Sequence, residues 1–192
     1  MAALPDEALE LLESWLPDND EPARPRMQLA TVDSEGRPDL RTVLLSEWGR
    51  DGFLFHTDAT SRKVRELAAN PAAALVLLLA GGERQLVVRG SAERAGAREE
   101  ARAYARRSPY VRRHAWVNTP EVARLPRAER VAAWSLFGAE HDIDKLEAPA
   151  TWVGFLIRPD RVTFWETDPH APSHRLEFTL EGASWSRAHL PG

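Results

Sequence analysis

RPDLRTVLLSEWGRDGFLFHTDATSRKVRELAANPAAALVLLL, Arg37 to Leu79, is the stretch whose reading decides the fold. A turn signal, Glu35-Gly36-Arg37-Pro38, precedes Arg41-Thr42-Val43-Leu44-Leu45, a β-branched and aliphatic strand. Gly49 to Gly52 makes a second turn, and Phe53 to Phe55 alternates into a strand ending at His56-Thr57. Thr60-Ser61 is expected to cap a helix over Arg62–Ala69, which Asn70-Pro71 ends because the residue before proline is pushed out of helical geometry. Ala72 to Leu79 is an unbroken apolar run of strand length and predicts a strand buried on both faces.

Upstream, residues 4–16 read as an amphipathic helix. Pro5 suits its first turn, Asp6 and Glu7 complement its dipole, and Leu9, Leu12 and Leu16 share a face. A strand over Met27–Val32 is expected to pair across Asp33–Gly36 with Thr42–Leu45. Downstream, Ala80–Glu83 turns the chain into a Gln85–Arg89 strand, and Gly90–Arg94 continues that strand or bends it away. Ala97–Arg107 reads as a charged helix broken by Pro109, and Tyr110–Trp116 as a basic aromatic segment. A further helix spans about Pro126 to Leu136, its Val131, Trp134 and Leu136 favouring a docked face. Thr151–Ile157, Arg161–Trp165, Arg175–Leu180 and Trp185–Leu190 read as strands, with turns at Pro159-Asp160 and Glu181-Gly182 and a proline-rich loop over Thr167–Ser173. Short strands joined by closely spaced glycine turns predict a barrel within one domain spanning residues 1–192.

Composition removes several function classes. With no cysteine, disulfides, thiolate nucleophiles, zinc–cysteine sites and iron–sulfur clusters are excluded. A formal net charge of −4 gives no global field toward nucleic acid or membrane, so any anion binding is local. The acidic N-terminus lacks the basic region of a signal peptide, and no apolar run approaches the ~20 residues of a membrane span. A cytoplasmic location is the expectation. His141-Asp142 has no partner spacing for a metal, and no metal site is expected.

Cations give the opening stretch its chemistry. Arg62 and Lys63 fall in a helix's first turn, where positive charge opposes the macrodipole. With Arg41 they read either as an anion site at a helix start, most simply for phosphate, or as a solvated basic face.

The order RTVLL, GFLFHT, SRKVRELAANPAAAL closely resembles the pyridoxamine 5′-phosphate oxidase family, and the resemblance runs from Met27–Val32 to the Trp185…Arg187…Leu190-Pro191 tail. It implies a mainly β (α+β) fold, an FMN-binding split β-barrel with flanking helices. It also implies a homodimer with the flavin at the subunit interface. FMN contacts carried over by motif fall on Arg41, Thr42, Val43, Leu44, His56, Thr57, Arg62, Lys63, Gln85, Trp165 and Arg175. These residue types suit the roles: charge-assisted hydrogen bonds to phosphate, an amide for the isoalloxazine edge, and a flat indole.

The chain departs from the family pattern in places. His56 stands where the family usually has tyrosine, and a Gln-Ser pair is replaced near Pro120-Glu121. On the substrate side, Ser46 occupies the position of a phosphate-binding lysine, Tyr104 keeps the tyrosine, and Ser108 stands where an arginine belongs. Ala171-Pro172-Ser173 replaces an Arg-Leu-His run. Each lost cation removes a contact of about 1.5–3 kcal/mol. Arg112 and Arg113 are candidate replacements, beside the reading of a solvated basic loop. No residue can be assigned a catalytic step from sequence. The expectation is flavin-dependent redox chemistry on a small organic substrate other than pyridoxine 5′-phosphate. The alternatives are authentic pyridoxine/pyridoxamine 5′-phosphate oxidation and a non-catalytic flavin-binding module.

Overall fold

Eight antiparallel strands carry the architecture, and the computed structural model describes residues 2–192. They are β1 (Arg26–Val32), β2 (Pro38–Gly49), β3 (Gly52–Asp58), β4 (Ala72–Leu79), β5 (Arg84–Arg94), β6 (Trp152–Glu166), β7 (His174–Glu181) and β8 (Ser184–Pro191). The order β3-β2-β1-β4-β5-β6 closes on itself through a β3–β6 pairing, making a six-stranded barrel from which β7 and β8 extend. Closure pairs both edges, so the short strands leave no open template for aggregation there. The fold is the split barrel that the family resemblance implies.

Helices flank the barrel: α1 (Asp6–Trp15), α2 (Arg62–Ala69), α3 (Ala97–Ala105), α4 (Pro109–Val117), α5 (Pro120–Ala123) and α6 (Arg127–Glu140). The core joins Leu4, Ala8, Leu12 and Leu16 to the inward residues Met27, Leu29, Leu45, Phe53, Phe55, Leu75, Leu77, Leu86 and Val88. Each of these leaves water, and burial stabilises by about 1.5–3 kcal/mol per large apolar side chain. No helix among the described residues is long and apolar enough to cross a membrane.

Four expectations change. The Ala72–Leu79 run is buried on one face only: Ala73, Leu75 and Leu77 point inward, while Leu78 is 60% exposed. A barrel wall has an inside and an outside, and the outward Ala74 and Val76 are only half-buried. Pro159-Asp160 is no turn. β6 runs straight through it, and a register shift opposite Arg89/Gly90 absorbs the extra residue. The shift needs Gly90, because a Cβ there would lie 2.0 Å from the Arg158 carbonyl oxygen. Pro109 ends one helix but opens the next, and the basic aromatic segment is helical, with the Ser108 hydroxyl accepting from Val111 N–H. Finally, α6 docks on α4 through Tyr110–Trp134 and Trp116–Phe137 contacts, but it buries no residue fully, and Val131 and Leu136, expected on the docked face with Trp134, stay exposed.

Candidate functional site

Between β2, β3, α2 and α4 lies a cleft of about 570 Å³. β2 contributes Thr42, Val43 and Leu44; β3 contributes His56, Thr57 and Asp58; α2 and its approach contribute Ser61 and Lys63. The opposite wall is Tyr110, Val111, His114 and Ala115 of α4 with Arg107 just before it, and Trp152 closes the floor. Five of the positions on β2 and β3 expected to contact FMN, together with Lys63, therefore face one space.

Lys63 is the cation that α2 aims into the cleft. Its Nζ donates to Thr57 Oγ1 at 3.0 Å, and burial followed by the nearby Arg41 charge lowers its pKa. Ser61 sits at the N-cap but makes no side-chain cap bond, contrary to the capping expected, so no side chain closes off the first-turn N–H groups. A half-buried ammonium beside an uncapped helix start is a site for a phosphate-sized anion.

Arg41 and Arg62 are placed differently. Arg41 turns toward the barrel end, where it donates to Asp39 and Glu66, each at 2.8 Å, and to the Thr31 hydroxyl and the Leu29 carbonyl. Arg62, largely exposed, reaches Asp39 at 3.4 Å and lines a neighbouring hollow instead. The three cations do not converge on one point within one chain.

Gln85, Trp165 and Arg175 stand apart from the cleft. Gln85 pairs with Trp165 across β5–β6, and Trp165 with Arg175 across β6–β7, so the three form one row on the sheet's outward face. Leu40, 65% exposed, and Leu78 lie on the outer surface of the same sheet.

At the opposite end of the cleft a chain of hydrogen bonds links Arg107, Ser46 and His56. Arg107 Nη2 donates to Ser46 Oγ, whose hydroxyl lies 2.7 Å from His56 Nδ1. Because Arg107 can only donate, Ser46 donates onward, and His56 carries its proton on Nε2. That Nε2 is buried with no partner among the described residues. The ring stacks on Trp152 at 5.2 Å with a 10° interplanar angle. Burial, and then the charges of Arg107 and Arg102, pushes the His56 pKa down to about 3.

A folded pKa below the unfolded value near 6.5 means the unfolded chain binds the proton first. The stability from neutral His56 is complete above about pH 6.5 and drains away as the pH falls from there toward 3. Between pH 7 and pH 5 the loss is about 2 kcal/mol. Denaturant unfolding at the two pH values should show His56→Gln to be less acid-sensitive by that amount; equal sensitivity would refute the assignment.

The residues expected around the substrate lie elsewhere. Tyr104 is 2% exposed, its hydroxyl donating to the Arg112 carbonyl and accepting from Trp116 Nε1 at 3.1 Å. Arg112 pairs with Asp144 at 3.2 Å, and Arg113 lies over Trp134. None of the three is among the cleft-lining residues, whereas Ser46 reaches the cleft through His56 and Arg107. Ser108 is a helix cap, and the cleft arginine is its neighbour Arg107. The doublet Arg106-Arg107 immediately before Ser108 was the signal: an offset of one residue restores an arginine to this wall. Arg26, lining the mouth from β1, had no such signal. Among the described residues no group of histidine and carboxylate ligands could hold a metal.

A family model described as pyridoxamine 5′-phosphate oxidase matches residues 18–166, and one described as the pyridoxine 5′-phosphate oxidase C-terminal dimerisation region matches residues 152–191. A pyridoxine/pyridoxamine 5′-phosphate oxidase of Bradyrhizobium diazoefficiens is 34% identical over 190 residues, covering 96% of this chain and 89% of that protein. One of Streptomyces avermitilis is 37% identical over 162 residues, covering 83% and 72%. Among solved structures, PhzG from Burkholderia lata 383 in complex with tetrahydrophenazine-1-carboxylic acid aligns with a TM-score of 0.77 at 25% identity, covering 98% of this chain and 94% of that one. A pyridoxamine 5′-phosphate oxidase-related, FMN-binding protein of Nostoc punctiforme shares the fold, with a TM-score of 0.69 at 19% identity over 87% of each chain.

Proposed function

The chain belongs to the pyridoxamine 5′-phosphate oxidase family, and from that premise we propose that it is an FMN-dependent oxidoreductase acting on a small organic substrate other than pyridoxine 5′-phosphate. The observation that carries this reading is the cleft itself: an apolar strand segment, Thr42 to Leu44, runs toward a half-buried lysine at an uncapped helix start. Those groups fit a flavin with a terminal phosphate. Lys63 and the α2 N–H groups would hold the phosphate, and Thr42–Leu44 would lie along the ring system. FMN, when bound, supplies a two-electron acceptor. The chain's own residues orient the substrate, exclude water with the α4 wall, and keep a neutral imidazole at His56 that retains its Nε2 proton throughout the neutral range.

We further infer that the site is completed by a second copy. The Gln85–Trp165–Arg175 row does not border the cleft of its own chain, and Trp165 and Arg175 fall inside the segment matched by the dimerisation region. The exposed leucines of the outward sheet face give such a dimer an apolar surface to bury.

The relatives' name favours authentic pyridoxine 5′-phosphate oxidation as a second reading, and Arg107 supplies one of its cations. Against it stands Ser46, a neutral residue where the resemblance calls for lysine. The Burkholderia protein was solved with a carboxylic acid, which supports a wider ligand range among similar chains.

Titration by flavin fluorescence quenching tests the cofactor. FMN should bind at least about ten-fold more tightly than riboflavin, one charge-assisted contact being sufficient for that ratio. Equal affinities would remove the phosphate site, and no quenching by either would remove the flavin. On the loaded protein, turnover of pyridoxine 5′-phosphate near background is expected, and efficient turnover would establish the second reading.

A further inference from the structure

We propose that Asp39 competes with the flavin phosphate for Arg41 and Arg62, so that this chain carries its own limit on how tightly FMN is held. This rests on the flavin reading above and concerns the retention of the cofactor at that same site.

Of Arg41, Arg62 and Lys63, only Lys63 lines the cleft, and Asp39 draws the other two aside. Asp39 lies two residues before Arg41 on β2, so both side chains leave the strand on the same face. Its Oδ2 accepts from Arg41 Nη2 at 2.8 Å and from Arg62 Nη1 at 3.4 Å, while its Oδ1 accepts from the Leu40 N–H at 2.9 Å. One carboxylate oxygen thus bridges two guanidiniums, as a phosphate oxygen does between paired arginines. Burial alone would raise the Asp39 pKa. The Arg41 charge and hydrogen bond, the Leu40 N–H and the Arg62 charge hold it below the ordinary carboxylate value, so it is ionised at neutral pH. The same charges reach the cleft: after burial, Lys63 responds to repulsion from Arg41 and to attraction from Asp58, Glu66 and Asp39.

Of the two carboxylates on Arg41, Asp39 is the one that can give way. Glu66 is 5% exposed and tied to the Thr31 hydroxyl inside the barrel end, whereas the Asp39 side chain is 36% exposed. Arg62 is 72% exposed, and an ion pair so open to water is worth little. A phosphate monoester brings about −1.5 to −2 charge and three acceptor oxygens, so at the α2 start it outbids a single carboxylate for Arg62. Asp39 then remains beside the phosphate as a like charge with part of its own pairing lost. Its neighbours do little to relieve it, since Arg37 pairs with Glu35 and Arg65 Nη1 donates to the Thr60 carbonyl at 2.8 Å. Asp39, Arg41, Arg62 and Lys63 all come from β2 and α2 of one protomer, so the competition is the same whichever protomer supplies the Gln85–Trp165–Arg175 row.

Fluorescence-quenching titrations of flavin-free protein with FMN and with riboflavin test the assignment. Asp39→Asn, which keeps the shape and removes the charge, should bind FMN at least about five-fold more tightly than the unmodified protein. Riboflavin, which has no phosphate, should bind both proteins equally. Asp39→Ser should act in the same direction as Asp39→Asn and keeps the test decisive if that variant does not fold. Asp39→Glu, which retains the charge, should show no such gain. Unchanged or weaker FMN binding in the neutral variants overturns the proposal, because Asp39 would then orient the arginines for the phosphate instead of opposing it. A gain shared equally by riboflavin, or one as large in Asp39→Glu, overturns it too, since the phosphate or the charge would not be the cause. All three results leave flavin binding itself intact. An unmodified protein that binds neither flavin overturns the flavin reading and this proposal with it.

Discussion

Arg41→Ala should destabilise the folded chain by about 3–5 kcal/mol, because it strands a buried carboxylate. Glu66 is 5% exposed, and its Oε2 accepts from Arg41 Nη2 and from the Thr31 hydroxyl. Asp39 completes the set from the solvent side. Removing the guanidinium leaves Glu66 in the barrel end with one neutral donor, and Thr31, 0% exposed, loses a partner as well. The desolvation already suffered by the carboxylate then has nothing to offset it. Glu66→Gln with Arg41 retained should cost less, since an amide still accepts from the guanidinium. An Arg41→Met/Glu66→Met double variant should recover part of the loss, as buried ion pairs often give way to apolar packing at little cost. Denaturant midpoints on flavin-free protein measure all three. A loss below about 1 kcal/mol for Arg41→Ala would show that the cluster does not hold this end of the barrel, and would return Arg41 to a purely ligand-directed role.

This cluster also marks how far the sequence could be read. The strands from Arg41 to Leu79 and their glycine turns were legible because apolar alternation and turn chemistry are local. So was α1, whose Leu12 and Leu16 reach the core as their spacing requires. The partners of a charge are not local. Arg41 and Lys63 look equally free in sequence, yet two carboxylates, one of them 25 residues away, claim the first. Apolar residues tell a similar story: Leu78 was expected in a strand buried on both faces and Val131 and Leu136 on a docked helix face, and all three are exposed in one chain. Hydrophobicity states that a residue prefers cover, not which chain provides it. Arg107, which lines the cleft, was missed for another reason. A family position counted forward from Tyr104 lands on the helix cap Ser108, one residue past the side chain that reaches the cleft.

Mixing two inactive variants should restore FMN binding. Lys63→Ala removes the cation that faces the cleft, and Arg175→Ala removes the end of the outward-facing row. If each flavin site takes Lys63 from one protomer and Arg175 from its partner, each homodimeric variant has two defective sites. In a mixed dimer, one site carries both substitutions and the other carries neither. Random assortment after co-refolding makes about half the dimers mixed, so about one quarter of all sites should regain the unmodified affinity. Fluorescence quenching reads that fraction as a tight phase absent from either variant alone, and sedimentation confirms the dimer. The effect is large because each substitution alone should weaken binding at least about ten-fold. A mixture showing no tight phase, from variants that do form mixed dimers, would place Lys63 and Arg175 in the service of the same protomer. That outcome is hard to reconcile with the separation of the cleft from the β5–β6–β7 row. Recovery of the tight phase would instead explain why the phosphate-end and ring-end residues lie apart in one chain: the barrel presents half a site on each of two surfaces, and the second copy joins them.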